Sequence, residues 1–350
     1  MGISVWFFHR IPNCKLLHNF HTLVAVSILK SKFSLFMIGI FVGSLTSYLF
    51  IFNYINVHAV KDAPSSGKYE TFTLIHDGIS RSYDVYAPQN LKPNSPVFFV
   101  FHGSFGTSEV MRIATGYDFE YLAQEKGFLV VYPQGYEKFW NDCRATADYE
   151  ANLKNIDDVG FFTKMIDVLE KDFSIDTAKV VATGISNGGQ MMYRLAYEAP
   201  EKALLLAPLV STIPIKSNNG CKSSEDPVNI MIFNGTADQI APYEGGLVSL
   251  FGNDSRGVVQ SSDETYEYWK SLDNSNEEEV LNLAELDGDP NSSVIKKISK
   301  GEKVVALYTL VNGGHIYASP NVEYSSYFNG NVRDINTSLE IYSVFESLTR

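Results

Sequence analysis

The short apolar run Val180-Val181-Ala182-Thr183 leads straight into Gly184-Ile185-Ser186-Asn187-Gly188-Gly189, and from Gly188 to Ala199 the pattern becomes helical. A strand that turns this sharply into a helix leaves little room beside the central serine, so small residues must flank it. The same turn sets the Ser186 hydroxyl at a helix N-terminus, where the dipole favours negative charge. A Gly-x-Ser-x-Gly match means little by itself; its position between a strand and a helix gives it weight.

The rest of the chain supplies the setting. Glu70 to Asp77 and Ser80 to Tyr86 alternate like two strands around Asp77-Gly78, a hairpin turn signal. Pro96 to Phe101 is a continuous apolar run, as expected of a strand buried on both faces. A helix is expected from Ser108 to Lys126, then a strand from Phe128 to Tyr132 and a helix from Asn155 to Asp172. Strands are expected next at Lys179 to Thr183, Leu204 to Leu209, Val228 to Phe233 and Lys303 to Leu310. Helices are expected at Gly188 to Ala199, Asp263 to Leu272 and Thr337 to Leu348, with a polar acidic stretch from Asp273 to Glu302 in which Asn274 to Glu279 reads as a solvated loop and not a metal site. This alternation predicts an α/β fold: a mostly parallel twisted sheet with helices on both faces and antiparallel strands at the start.

A serine in such a turn needs a base and an acid, which come after it in the order acid, then histidine. Of the seven histidines, His9, His18, His21, His58, His76 and His102 precede Ser186, and His315 alone comes after it. His315 sits in Asn312-Gly313-Gly314-His315, just after a strand, where the base belongs. The aspartates between them are Asp226, Asp238, Asp254, Asp263, Asp273, Asp287 and Asp289. Asp238 alone closes a buried strand through a tight turn, Phe233 to Asp238; the others read as caps or solvated loop charges. The predicted catalytic set is therefore Ser186, Asp238 and His315. His102-Gly103-Ser104 comes directly after the early buried strand, so the amides of Ser104 and Asn187 are the candidate oxyanion donors.

The segments HGSFGT, DDVGFF, GISNGGQMMYRLA, NGTADQIAPYEGG and GGH, in this order, resemble the polyhydroxybutyrate depolymerase and feruloyl esterase family of α/β-hydrolases. The likeness spans about residues 70 to 350. It implies an α/β-hydrolase fold, hydrolysis of carboxylic esters, export, and no cofactor or metal. The family's triad maps onto Ser186, Asp238 and His315, and its Asp-Asp-Val-Gly-Phe segment onto Asp157 to Phe161, beside the aromatic loop Phe139-Trp140-Asn141. Trp140 and Tyr317 are the residues expected at the substrate rim. This chain departs from the family pattern at Ile316 to Ser319 and at Asn234, which bears on acyl specificity more than on chemistry.

The amino end carries an address. Phe33 to Phe52 holds twenty residues without a charge, enough at ~1.5 Å per residue to cross a bilayer core of ~30 Å. Arg10, Lys15, Lys30 and Lys32 all precede it, and the first 60 residues contain no acid, which predicts export of the chain beyond the apolar run. Val57-His58-Ala59 resembles a signal-peptidase site, so a cleaved signal and a retained anchor are both open. The expected organisation is a basic segment 1–32, a signal or anchor 33–57, a linker 58–68 and a catalytic domain 69–350. That domain is secreted or periplasmic, or is held at the membrane outside the cytoplasm. Beyond residue 60, 24 basic residues face 40 acidic ones, a field that repels nucleic acid. Outside the cell, Cys143 and Cys221 can pair as a disulfide, with two buried thiols the alternative.

The leading expectation is an exported serine carboxylesterase, of feruloyl or short-acyl type, acting through an acyl-enzyme on Ser186. An oligoester depolymerase, a serine peptidase and a non-catalytic binding module on the same scaffold are the rivals.

Overall fold

The computed structural model describes residues 56–222, 225–273 and 277–350. The strands are β1 Val57–Ala59, β2 Lys68–His76, β3 Ile79–Ala87, β4 Ser95–Phe101, β5 Leu129–Pro133, β6 Ile175–Ile185 and β7 Leu205–Leu209. They continue with β8 Ile230–Gly235, β9 Gly246–Leu247, β10 Val258–Val259, β11 Glu278–Asn282, β12 Ser293–Lys300, β13 Val304–Val311 and β14 Val322–Tyr324. The helices are α1 Ser108–Ala114, α2 Asp118–Lys126, α3 Glu150–Leu153, α4 Asp158–Phe173, α5 Asn187–Glu198, α6 Ser262–Leu272 and α7 Thr337–Leu348.

Ten strands form one sheet in the order β11-β12-β13-β8-β7-β6-β4-β5-β3-β2. The six from β5 to β13 run parallel, while β2 and β3 at one edge and β11 and β12 at the other are antiparallel. This is the α/β-hydrolase fold. Parallel strands need crossover helices, and these bury both faces of the sheet. Phe119 of α2 and Phe345 of α7 pack on one face with Phe98, whereas Phe162 of α4 and Trp269 of α6 lie in the core of the other with Phe99. Hence the unbroken apolar run in β4.

Three expectations change. The helix expected from Ser108 to Lys126 is two helices broken at Gly116, whose φ is +59° and whose added Cβ would stand 2.4 Å from the Asn321 carbonyl oxygen. Only glycine allows that approach. The acidic stretch, where no regular element is expected, adds β11 and β12, and Glu278 and Glu279 of the expected loop belong to β11; Val294 and Ile298 are buried on the core side of β12, and β11 is added by backbone pairing. The third is the linker 58–68. It packs on the catalytic unit: β1 pairs with β14, and the Ser66 carbonyl accepts hydrogen bonds from Tyr86 and Gln124.

Among the described residues no helix is long and apolar enough to cross a membrane. The basic segment and the apolar run from Phe33 to Phe52 lie outside them.

Candidate active site

The turn after β6 has the strain its sequence demands. Ser186 sits at φ +58°, ψ −115° as the N-cap of α5, a conformation that is costly for a non-glycine residue and concentrates at functional sites. A Cβ on Gly184 would lie 2.5 Å from the Gly188 carbonyl oxygen, and one on Gly188 would lie 2.6 Å from those of Phe101 and His102. The glycines are there for close backbone approach.

At the carboxyl ends of β8 and β13, Asp238 and His315 meet. His315 Nδ1 lies 2.7 Å from Asp238 Oδ2, and both side chains are buried. The other carboxylate oxygen accepts the amides of Ile240 and Ala241 at 2.8 and 2.9 Å. With both oxygens acting as acceptors, this geometry favours, for a neutral imidazole, the tautomer with its proton on Nδ1 and Nε2 free to accept. The loop carrying His315 is held by its own amide, which donates to the Phe328 carbonyl at 2.7 Å.

Ser186 and His315 line one chamber of about 260 Å³ together with Gly103 and Ser104. Its other walls are apolar: Met111, Ile185, Ile240, Leu250, Tyr324 and Phe328 among them, with Val57 from the amino-terminal strand. Phe105 and Phe251 also line it and are largely exposed, with ring centroids 6.3 Å apart. A small apolar chamber with a few convergent polar groups is the usual form of a ligand site.

Of the two expected oxyanion donors, Ser104 lines this chamber, and Asn187 follows Ser186 as the first residue of α5. Among the described residues the Ser104 amide makes no hydrogen bond. Asn187 is fully buried, with its side chain turned away from the chamber: Oδ1 accepts the Trp140 amide at 2.8 Å, and Nδ2 donates to the Trp140 carbonyl at 3.0 Å and to Asp142 at 2.6 Å. Trp140 corrects the expected substrate rim. It is fully buried, and its indole N–H donates 2.8 Å to the His102 carbonyl, so it braces the loop behind Ser104. Tyr317 is corrected too. Its ring is buried in the core and its hydroxyl accepts the Ser338 amide at 3.0 Å. The exposed aromatics that line the chamber are Phe105 and Phe251.

His102 is a support with a pH signature. Its Nδ1 donates to the Gly103 carbonyl at 2.7 Å and its Nε2 accepts the Gly135 amide at 2.9 Å. Burial pushes its pKa down to about 4, against the pull of the Gly103 hydrogen bond and with help from Arg81 and Lys138. The unfolded chain therefore binds this proton first. Stability present above the ordinary histidine range is lost as pH falls from ~6.5 towards 4, by about 3 kcal/mol from this group. Between pH 7 and pH 4, His102→Gln is expected to lose about 3 kcal/mol less unfolding free energy than the wild type. Urea unfolding at the two pH values measures this, and equal losses contradict it.

Cys143 and Cys221 form a disulfide with Cα atoms 5.0 Å apart. Beside it Asp142 receives Arg144, Tyr149 and Asn187 in a buried network, so the bridge clamps the loop that holds Asn187. Asp158, from the acidic motif, pairs with Arg81 at 2.6 Å and accepts the Asn141 amide at 2.7 Å. Composition did not announce the Asp142 network or the wall residues Val57, Phe251, Tyr324 and Phe328, which carry no motif. Clustered metal-ligand types occur at His76, Asp77 and Asp157 and at Glu285, Asp287 and Asp334; neither group lines the chamber.

No family model matches the chain. A bifunctional acetylxylan esterase/xylanase of Neocallimastix patriciarum is 30% identical over 167 residues, covering 48% of this chain and 23% of that protein. Feruloyl esterase D of Neurospora crassa is 29% identical over 197 residues, covering 51% of this chain and 63% of the relative. The chain thus spans less than two thirds of either protein. An acetyl xylan esterase from Aspergillus awamori aligns in structure with a TM-score of 0.46 at 17% identity, over 71% of this chain and 94% of the other. The resemblance to feruloyl esterases read from the motifs is borne out: relatives of this chain are carboxylic ester hydrolases.

Proposed function

We propose that this chain is an exported serine carboxylesterase that hydrolyses feruloyl or short-acyl esters through an acyl-enzyme on Ser186. The observation that carries the reading is the Asp238–His315 pair at 2.7 Å, opening on the same apolar chamber as the strained Ser186. Export rests on the apolar run from Phe33 to Phe52 and its one-sided charge. In that setting a disulfide persists.

In this reading Ser186 Oγ attacks the ester carbonyl carbon while His315 Nε2 takes its proton, and Asp238 stabilises the resulting imidazolium. The amides of Ser104 and Asn187 receive the oxyanion, and loss of one such donor typically costs ~3 kcal/mol of transition-state stabilisation. Collapse of the tetrahedral intermediate breaks the carbonyl–alkoxy bond, and His315 returns the proton to the leaving alcohol. Water, deprotonated by the same imidazole, then releases the acid and restores Ser186. The apolar chamber suits the acyl group, whereas a polar alcohol finds no matching wall there.

The test is kcat/KM across p-nitrophenyl esters from acetyl to octanoyl, methyl ferulate, hydroxybutyrate oligomers and a peptide amide. Turnover highest on a feruloyl or short-acyl ester is expected. Peptide cleavage without ester turnover contradicts the reading.

A further inference from the structure

We propose that Val57, on the strand that joins the amino-terminal segment to the catalytic unit, is a specificity-determining wall of the acyl chamber. The inference rests on the esterase reading above and adds the segment that sets its acyl preference.

Val57 lines the chamber that Ser186 and His315 share, although it lies far from both in sequence. It is placed there by pairing. β1 runs antiparallel to β14 in the register Val57 to Tyr324, His58 to Glu323 and Ala59 to Val322. The pairing is locked at both ends, where the Ser325 amide donates to the Asn56 carbonyl at 3.1 Å and the Val60 amide donates to the Asn321 carbonyl at 2.8 Å. Alternation along a strand sends Val57 to one face and His58 to the other, and His58 is exposed.

The partners of β1 are themselves chamber walls. Tyr324 and Phe328 line it with rings edge to face at 5.4 Å. Tyr324 donates its hydroxyl to the Ala114 carbonyl at 2.8 Å, so the β1–β14 ribbon is tied to α1, which contributes Met111 and Ala114 to the same cavity. A β-branched side chain on a strand held this way has a restricted χ1 and yields little to a longer acyl chain. Apolar walls discriminate chain length by roughly 10–200-fold per methylene-sized change.

The placement of Val57 also constrains processing. Cleavage after Ala59 removes β1 and opens this wall, so the exported enzyme is expected to start upstream of Asn56. Amino-terminal sequencing of the exported, active protein checks this, and a start at Val60 overturns the inference.

The deciding experiment uses the full chain and compares kcat/KM on p-nitrophenyl acetate, p-nitrophenyl octanoate and methyl ferulate. Val57→Trp fills the chamber and is expected to lower the octanoate-to-acetate and ferulate-to-acetate ratios at least about tenfold. Val57→Ala, which is gentler on folding, is expected to raise the octanoate-to-acetate ratio several-fold. His58→Ala, on the opposite face, leaves both ratios where they are. Ratios within about twofold of wild type in both Val57 variants, or an equal change in His58→Ala, overturn the inference alone. A wild type that turns over none of these esters overturns the esterase reading, and this inference with it.

Discussion

Ser186→Ala is expected to lower ester turnover by several orders of magnitude, on the order of 10⁴ to 10⁶ in kcat, while thermal stability stays near that of the wild type. The size of the loss reflects the triad acting as a unit, since without Oγ neither His315 nor Asp238 has a reacting atom to serve. The fold should survive because alanine tolerates φ +58° no worse than serine does. The backbone bonds of the turn, Ser186 amide to Leu209 carbonyl at 2.9 Å and Gln190 amide to Ser186 carbonyl at 2.8 Å, do not involve the hydroxyl. Residual activity within about tenfold of wild type removes Ser186 as nucleophile.

Asp238→Asn should cost about 10⁴ in kcat with the fold retained. Asp238 accepts from three donors: the amides of Ile240 and Ala241 on one oxygen and His315 Nδ1 on the other. Asparagine has one acceptor oxygen. If that oxygen keeps the two amides, the NH₂ group faces Nδ1 and forces the imidazole proton onto Nε2, where it can no longer take the proton of Ser186. Asp263→Asn is the contrast, because Asp263 faces Lys297 at 2.7 Å on an exposed surface. Its activity is expected to remain within about twofold of wild type, as surface ion pairs contribute little. A silent Asp238→Asn beside a crippling change at Asp263 reverses the assignment of the acid.

Local chemistry decides which features are legible in the sequence. The Gly-rich turn around Ser186 can be read because backbone crowding at Gly184 and Gly188 admits no side chain. The apolar run in β4 can be read because a strand buried on both faces has no polar side. The pairing of Asp238 with His315 is implied by chain order and strand ends. Trp140 and Tyr317 mislead because a large aromatic beside a site motif looks the same in sequence whether it faces substrate or braces the loop from behind. The walls of the chamber, Val57, Phe251 and Tyr324, come from three distant segments, and only long-range packing brings them together. β11 is hidden for another reason: its five residues are exposed, so no hydrophobic alternation marks it, and its place is set by backbone pairing to β12. The helix break at Gly116 likewise answers to Asn321, about two hundred residues away.

The activation of Ser186 is read from the mass of the protein after exposure to an alkyl fluorophosphonate, which reacts with a serine activated by a neighbouring base. One adduct per chain is expected, located by peptide mapping on Ser186, and none in Ser186→Ala. An unlabelled wild type, or an adduct that persists in Ser186→Ala, contradicts it.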